Sequence, residues 1–154
     1  MSDAQGGWIL YGANGYTGEL TARMAAATGM RPILAGRNAT AVAALAQELG
    51  LEHRVAGLDD AAAVDKLLAT GGAAGRPQVV LHCAGPFSRT SQPMADGCLR
   101  NGVHYLDITG EIAVFEALAA RYDEAKQAGV MLLPGAGFDV VPSDCLAAHL
   151  NRRL

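Results

Sequence analysis

The sequence lacks the features that would point to a disulfide framework, a metal site, a membrane span or a nucleic-acid partner. Its three cysteines, Cys83, Cys98 and Cys145, are an odd number at wide spacing, with no CxxC pair and no histidine cluster at metal-ligand spacing. They read as small buried hydrophobes, and no metal is assigned. Lys and Arg number 12 against 15 Asp and Glu, for a formal charge of −3. The one basic stretch, Asn151-Arg152-Arg153-Leu154, is too short to neutralise a phosphate backbone, so no nucleic-acid partner is expected. No apolar run approaches the roughly 20 residues of a membrane helix, so no membrane span is expected either. The opening Met1-Ser2-Asp3-Ala4-Gln5 has none of the basic character of a signal peptide, and a cytoplasmic protein is the expectation.

What is present is a chain of 154 residues, 51% apolar, enough to bury the core of one ordinary domain. Short β-rich runs at 7–11, 31–36, 53–58, 78–83, 103–108 and 130–134 alternate with helically spaced stretches at 16–28, 39–49, 60–70, 91–101 and 111–128. A sixth helix opens near Pro142-Ser143-Asp144. Alternation of this kind predicts an α/β fold of the Rossmann type: a doubly wound parallel sheet of about six strands, with helices on both faces, as one domain over 1–154. Gly29, Gly50, Gly71-Gly72, Gly102 and Gly129 stand where helices should end, as C-terminal caps favour glycine.

The first strand runs into Gly12-Ala13-Asn14-Gly15-Tyr16-Thr17-Gly18, after which Glu19-Leu20-Thr21-Ala22 continues as a helix. Glycines here allow a sharp turn and close approach to a pyrophosphate, whose charge is met by free amides at the positive helix end. The spacing is GxxGxxG rather than the commoner GxGxxG, and its position after the first strand of an alternating chain gives it weight. Candidate cofactor residues here are Gly12, Asn14, Gly15, Tyr16, Thr17 and Gly18.

The end of the second strand selects the cofactor. An acid there would bind a ribose 2′-hydroxyl, whereas this chain has Arg37-Asn38, and a guanidinium suits a 2′-phosphate. NADP is therefore expected over NAD. After the third strand, Asp59 reads either as an adenine contact or as a cap of the next helix. After the fourth, Ala84, Gly85 and Pro86 are small enough to lie beside the nicotinamide half. His82 reads as a packed strand histidine more readily than as a catalyst.

Five blocks then carry a resemblance. They are the glycine turn, Ala35-Gly36-Arg37, Cys83-Ala84-Gly85-Pro86-Phe87, Tyr105-Leu106-Asp107-Ile108-Thr109-Gly110-Glu111, and the segment from Pro134 to Asp144. In this order they resemble the N-terminal NADP-binding domain of saccharopine dehydrogenase-like oxidoreductases, a group that includes trans-acting enoyl reductases. The resemblance implies a pyridine-nucleotide oxidoreductase acting on a small-molecule substrate. It also implies a second α/β portion that shapes the substrate pocket and lies outside these residues, so cofactor binding carries over while the catalytic residues stay unassigned. A domain that senses NADP(H) or serves assembly without hydride transfer is the alternative.

Asp107, Thr109 and Glu111 after the fifth strand, and Phe138, Asp139, Ser143 and Asp144 after the sixth, should fall at the ligand-binding edge. They read as substrate contacts, or as helix caps and, for Glu111, as an answer to a helix dipole. Tyr122 and Lys126 form a YxxxK like that of short-chain dehydrogenases, but a helix leaving the cofactor edge carries them to the wrong end of the sheet. A last helix with an exposed apolar face also suggests a homodimer.

Overall fold

The computed structural model describes residues 7–73, 75–137 and 140–153. The strands are β1 (Gly7–Tyr11), β2 (Ile33–Gly36), β3 (His53–Val55), β4 (Pro77–His82), β5 (His104–Asp107) and β6 (Leu132–Leu133). The helices are α1 (Tyr16–Ala27), α2 (Ala39–Leu49), α3 (Ala61–Ala69), α4 (Phe87–Asn101), α5 (Ile112–Ala119), α6 (Tyr122–Ala128) and α7 (Val141–Asn151). The strands form one sheet in the order β3-β2-β1-β4-β5-β6, every pair parallel. This is the doubly wound fold, with the order reversing between β1 and β4.

Period-two alternation along the strands sorts the core into two layers. Leu10 and Leu34 face Ala22 of α1 and Val42, Leu45 and Ala46 of α2. On the other face, Ile9, Val80 and Tyr105 meet Val64 and Leu68 of α3, Met94 and Cys98 of α4, and Val114 and Leu118 of α5. Both faces of β1 are therefore covered, as parallel strands require.

Several boundaries differ from the sequence expectations. β2 begins at Ile33, since Pro32 has no N–H to give a ladder. β3 stops at Val55, and β6 is two residues long, pairing only with β5. α4 starts at Phe87 rather than near 91, because the Glu111 carboxylate accepts from Phe87 and Ser88 N–H at its start. The stretch 111–128 is two helices: Arg121 N–H donates to the Leu118 carbonyl in a tight turn, while the Arg121 guanidinium is held by Asp96 of α4 at 2.5 Å and by Glu124. This ties the break to a tertiary ion pair. Gly50, Gly102 and Gly129 close α2, α4 and α6 in the left-handed region, and Gly29 does so one residue past the α1 cap. Gly71-Gly72 caps nothing: α3 ends on an extended Thr70.

Of the cysteines, Cys98 is buried and burial pushes its thiol up to about 12. Cys83 is half-buried, and Cys145 is exposed on α7 rather than in a core. α7 buries none of its residues and shows Val141, Leu146 and Leu150 to solvent. Among the described residues no helix is long and apolar enough to cross a membrane.

His82 sits wholly inside, with its ring 5.4 Å from Tyr11 and Phe87 and 6.1 Å from Tyr105. Burial pushes its pKa down to about 4 against the weaker pull of the nearby Thr90 backbone, and neither ring nitrogen meets a partner in hydrogen-bond geometry among the described residues. The structure thus makes it a packed strand residue. Because the unfolded chain binds this proton more readily, the neutral ring favours folding above about pH 6.5, and that contribution is lost as the pH falls toward 4. Urea unfolding at pH 7 and pH 4 should show a loss that includes up to about 3 kcal/mol from His82. His82→Phe should flatten the curve in this window, whatever it does to stability at pH 7.

Candidate nucleotide-binding site

The carboxyl ends of β3, β2, β1 and β4 stand side by side, and each carries one of the loops singled out above. The glycine turn is fixed from below: Gly12 and Ala13 N–H donate to the Ala35 carbonyl of β2 at 2.8 and 3.1 Å, and Gly15 N–H donates to the Gly12 carbonyl. Gly12 has φ +82, and a Cβ on it would lie 2.8 Å from the Ala84 nitrogen. A Cβ on Gly18 would lie 2.1 Å from the Gly12 carbonyl oxygen. The first glycine therefore lets the turn rest on the β4 loop, and the last lets α1 rest on the turn. Asn14, Gly15, Tyr16 and Thr17 are exposed along the open edge, Tyr16 by 85%.

The helix N-termini at this edge differ in what fills them. The Asn38 side chain accepts from Ala41 N–H and caps α2. Asp60 caps α3 by accepting from Ala62 N–H, so the capping residue is Asp60 and not its neighbour Asp59. At α4 the cap comes from a distance. Glu111 accepts from Phe87 N–H at 2.7 Å and from Ser88 N–H at 2.9 Å, one with each carboxylate oxygen. These bonds let α4 begin directly after Pro86, and they send Glu111 to α4 rather than to the helix it precedes. Of the four helices following β1 to β4, only α1 has no side chain of the described residues on its first amides. A helix start with free amides, a positive dipole end and a turn stripped of Cβ atoms fits a pyrophosphate.

Arg37 lies one residue beyond β2, exposed, and makes no hydrogen bond or ion pair to the described residues. The Asn14 side chain lies against Gly36, the residue before it, where an added Cβ would meet the Asn14 Oδ1 at 3.1 Å. Below them Tyr11 donates to the Ala56 carbonyl at 2.8 Å. Burial raises its pKa to about 12, with Arg37 opposing and Asp59 adding to the shift through space. Arg37 follows β2 and Asp59 follows β3, so both stand beyond the carboxyl ends of neighbouring strands.

The β4 loop is clamped. Cys83 N–H donates to the Tyr11 carbonyl, the Thr90 hydroxyl donates to the carbonyls of Ala84 and Pro86 at 2.7 and 3.1 Å, and the Gly85–Pro86 peptide is cis. Asp107 and Thr109, candidates for substrate contact, are instead fully buried and committed within the protein. Asp107 accepts from the Tyr105 hydroxyl at 2.6 Å and from the N–H groups of Thr109 and Gly135, and the Thr109 hydroxyl accepts from Glu111 N–H. With its phenol buried against that carboxylate, Tyr105 is held well above the usual tyrosine range.

Ser143 donates to the Val140 carbonyl, and Asp144 lies in the first turn of α7, whose cap position is Val140. Phe138 and Asp139 lie outside the described residues. Tyr122 and Lys126 line a groove of about 730 Å³ with Phe115, Leu118, Leu132 and Pro134, and neither the glycine turn nor the β4 loop contributes to it.

Comparison with known proteins matches residues 8–133 to the family described as saccharopine dehydrogenase NADP binding domain. The chain belongs to that family. Its cofactor is accordingly NADP, as Arg37 suggested. The domain is 32% identical over 163 aligned positions to a trans-acting enoyl reductase of Mycobacterium ulcerans (strain Agy99), covering 99% of this chain and 38% of that protein. To a trans-acting enoyl reductase of Mycobacterium leprae (strain TN) it is 35% identical, covering 95% and 35%. The chain thus spans little more than a third of the length of these relatives. Among solved structures, apo histidine-tagged saccharopine dehydrogenase (L-Glu forming) from Saccharomyces cerevisiae shares the fold with a TM-score of 0.70 at 20% identity, over 87% of this chain and 28% of that one. A putative short-chain oxidoreductase from Thermus thermophilus shares it at a TM-score of 0.62 and 22% identity, over 82% of this chain and 77% of that one.

Gly18→Ala should force α1 away from the turn. A loss of about 1–3 kcal/mol of stability is expected, with impaired nucleotide binding, while Gly71→Ala, which would meet only atoms at 3.8 Å and beyond, should leave both unchanged. Thermal unfolding and calorimetric titration of the two variants check this.

Proposed function

We propose that this chain holds NADP(H) along the carboxyl ends of β1 to β4 and presents the nicotinamide for hydride transfer to a small-molecule substrate. The observation that carries the reading is the open start of α1 in a row where α2, α3 and α4 are each closed by a side chain. In this reading Gly12, Asn14, Gly15, Tyr16, Thr17 and Gly18 surround the pyrophosphate. Arg37 meets the 2′-phosphate, helped by the Asn38 side-chain N–H groups, which remain available because the cap uses only the oxygen. Asp59 lies toward the adenine, and Ala84, Gly85 and Pro86 form the wall of the nicotinamide half.

Bound NADPH supplies the hydride, and the residues named here bind and orient it. Reduction of an activated double bond is the reaction class that the trans-acting enoyl reductases, at about a third identity, favour. No acid or base is assigned among the described residues, where Asp107, Thr109 and Glu111 are spent on internal bonds. The same commitment favours, as a second reading, a domain that binds NADP(H) without performing chemistry by itself. Placement in the cytoplasm, and pairing of two copies through the apolar residues shown by α7, belong to this proposal as well.

Calorimetric titration of the 154-residue chain with NADPH and with NADH tests it. Wild type should bind NADPH the more tightly. Arg37→Ala should lose about 10–100-fold for NADPH, the worth of a charge-assisted pair, with little change for NADH. Equal losses for both would remove Arg37 from the 2′-phosphate, and no binding of either to wild type would defeat the proposal.

A further inference from the structure

Glu111 lies 24 residues beyond Phe87 in sequence, yet its carboxylate fills the start of α4, where no local side chain caps the helix. Its backbone is itself held in place. Glu111 N–H donates to the Thr109 hydroxyl at 3.0 Å, Thr109 N–H donates to Asp107 Oδ1 at 3.0 Å, and the same Asp107 oxygen takes Gly135 N–H at 2.9 Å, while the other takes the Tyr105 hydroxyl. An unbroken path of hydrogen bonds thus runs from the end of β5 across to the start of α4. The β4 loop is gripped at three places: by Gly12 beneath Ala84, by the Thr90 hydroxyl on the carbonyls of Ala84 and Pro86, and by Glu111 on the two amides that follow.

We propose that Glu111 is a positioning residue for the nicotinamide half of the site, setting the Ala84-Gly85-Pro86 loop through Phe87 and Ser88 without touching the cofactor. The inference rests on the reading of that loop as the nicotinamide wall. It assigns Glu111 a second effect too: with a fixed carboxylate on α4, an anionic ligand finds a free helix start only at α1 among the four helices. Burial tends to raise the Glu111 pKa, but the donors from Phe87 and Ser88 outweigh it and hold the carboxyl below its usual range, so the group is ionised at neutral pH.

The test compares two ligands on the 154-residue chain: NADPH, and adenosine 2′,5′-bisphosphate, which has the phosphorylated adenosine but no nicotinamide half. Glu111→Ala should weaken NADPH on the order of tenfold, because the loop beside the nicotinamide half loses the charge-assisted bonds that set it, and shift the bisphosphate by less than about twofold. Glu111→Asp, whose shorter side chain keeps the charge but cannot span the same distance, should rescue only partly. Glu111→Gln serves if the alanine variant fails to fold. It retains one acceptor oxygen and should lose affinity for NADPH to a smaller degree. Equal loss for both ligands, or no loss for either, overturns the role. If wild type binds neither ligand, the underlying reading of the site fails as well; if wild type binds both and the variants weaken them alike, only the role of Glu111 fails.

Discussion

The contact of Gly12 with Ala84, backbone against backbone, is the constraint on which the site depends. It falls where the strand order reverses, so it joins the two halves of the sheet at their carboxyl ends. Any side chain at Gly12 would wedge the β1 turn off the β4 loop. The turn is then held from the other side by the Ala35 carbonyl of β2, which accepts from both Gly12 and Ala13. Three neighbouring strands thereby fix one short segment, and the axis of α1 follows from it because Gly18 packs on the same turn.

Electrostatics at that edge are arranged by subtraction. Each helix that starts there offers unpaired amides and a positive dipole end. Asn38 and Asp60 each take up one such amide at α2 and α3, and Glu111 takes up two at α4, whereas no side chain of the described residues does so at α1. The exposed guanidinium of Arg37 adds a second positive element a short distance along the edge. A ligand with two separated phosphate groups is matched by this pattern, and a ribose bearing a free 2′-hydroxyl is not matched by Arg37 in the same way.

The elements that follow local rules were legible in the sequence. The glycine turn, the Arg at the end of β2 and the glycines after α1, α2, α4 and α6 each act through their own backbone or their nearest neighbours, and the structure has them at the ends of the elements where they were expected. Elements set by distant partners were not legible. The start of α4 depends on Glu111, and the break between α5 and α6 coincides with the Arg121–Asp96 ion pair to another helix. Asp107 and Thr109 were recognisable as polar residues at the right edge, but nothing in their spacing told that Tyr105 and Gly135 would absorb the carboxylate. The one available signal was the run of three polar residues at alternate positions, 107, 109 and 111, just past a strand. Such a run suits a loop bonded to itself as well as one that reaches for a ligand.

Binding of NADPH at the uncapped start of α1 is tested most directly by amide chemical shifts, followed by NMR during a titration with NADPH. The largest shifts should fall at Gly12 to Gly18, followed by Arg37 and the Ala84-Gly85 segment. Largest shifts along the groove lined by Phe115, Tyr122 and Lys126, with the glycine turn unmoved, would contradict it.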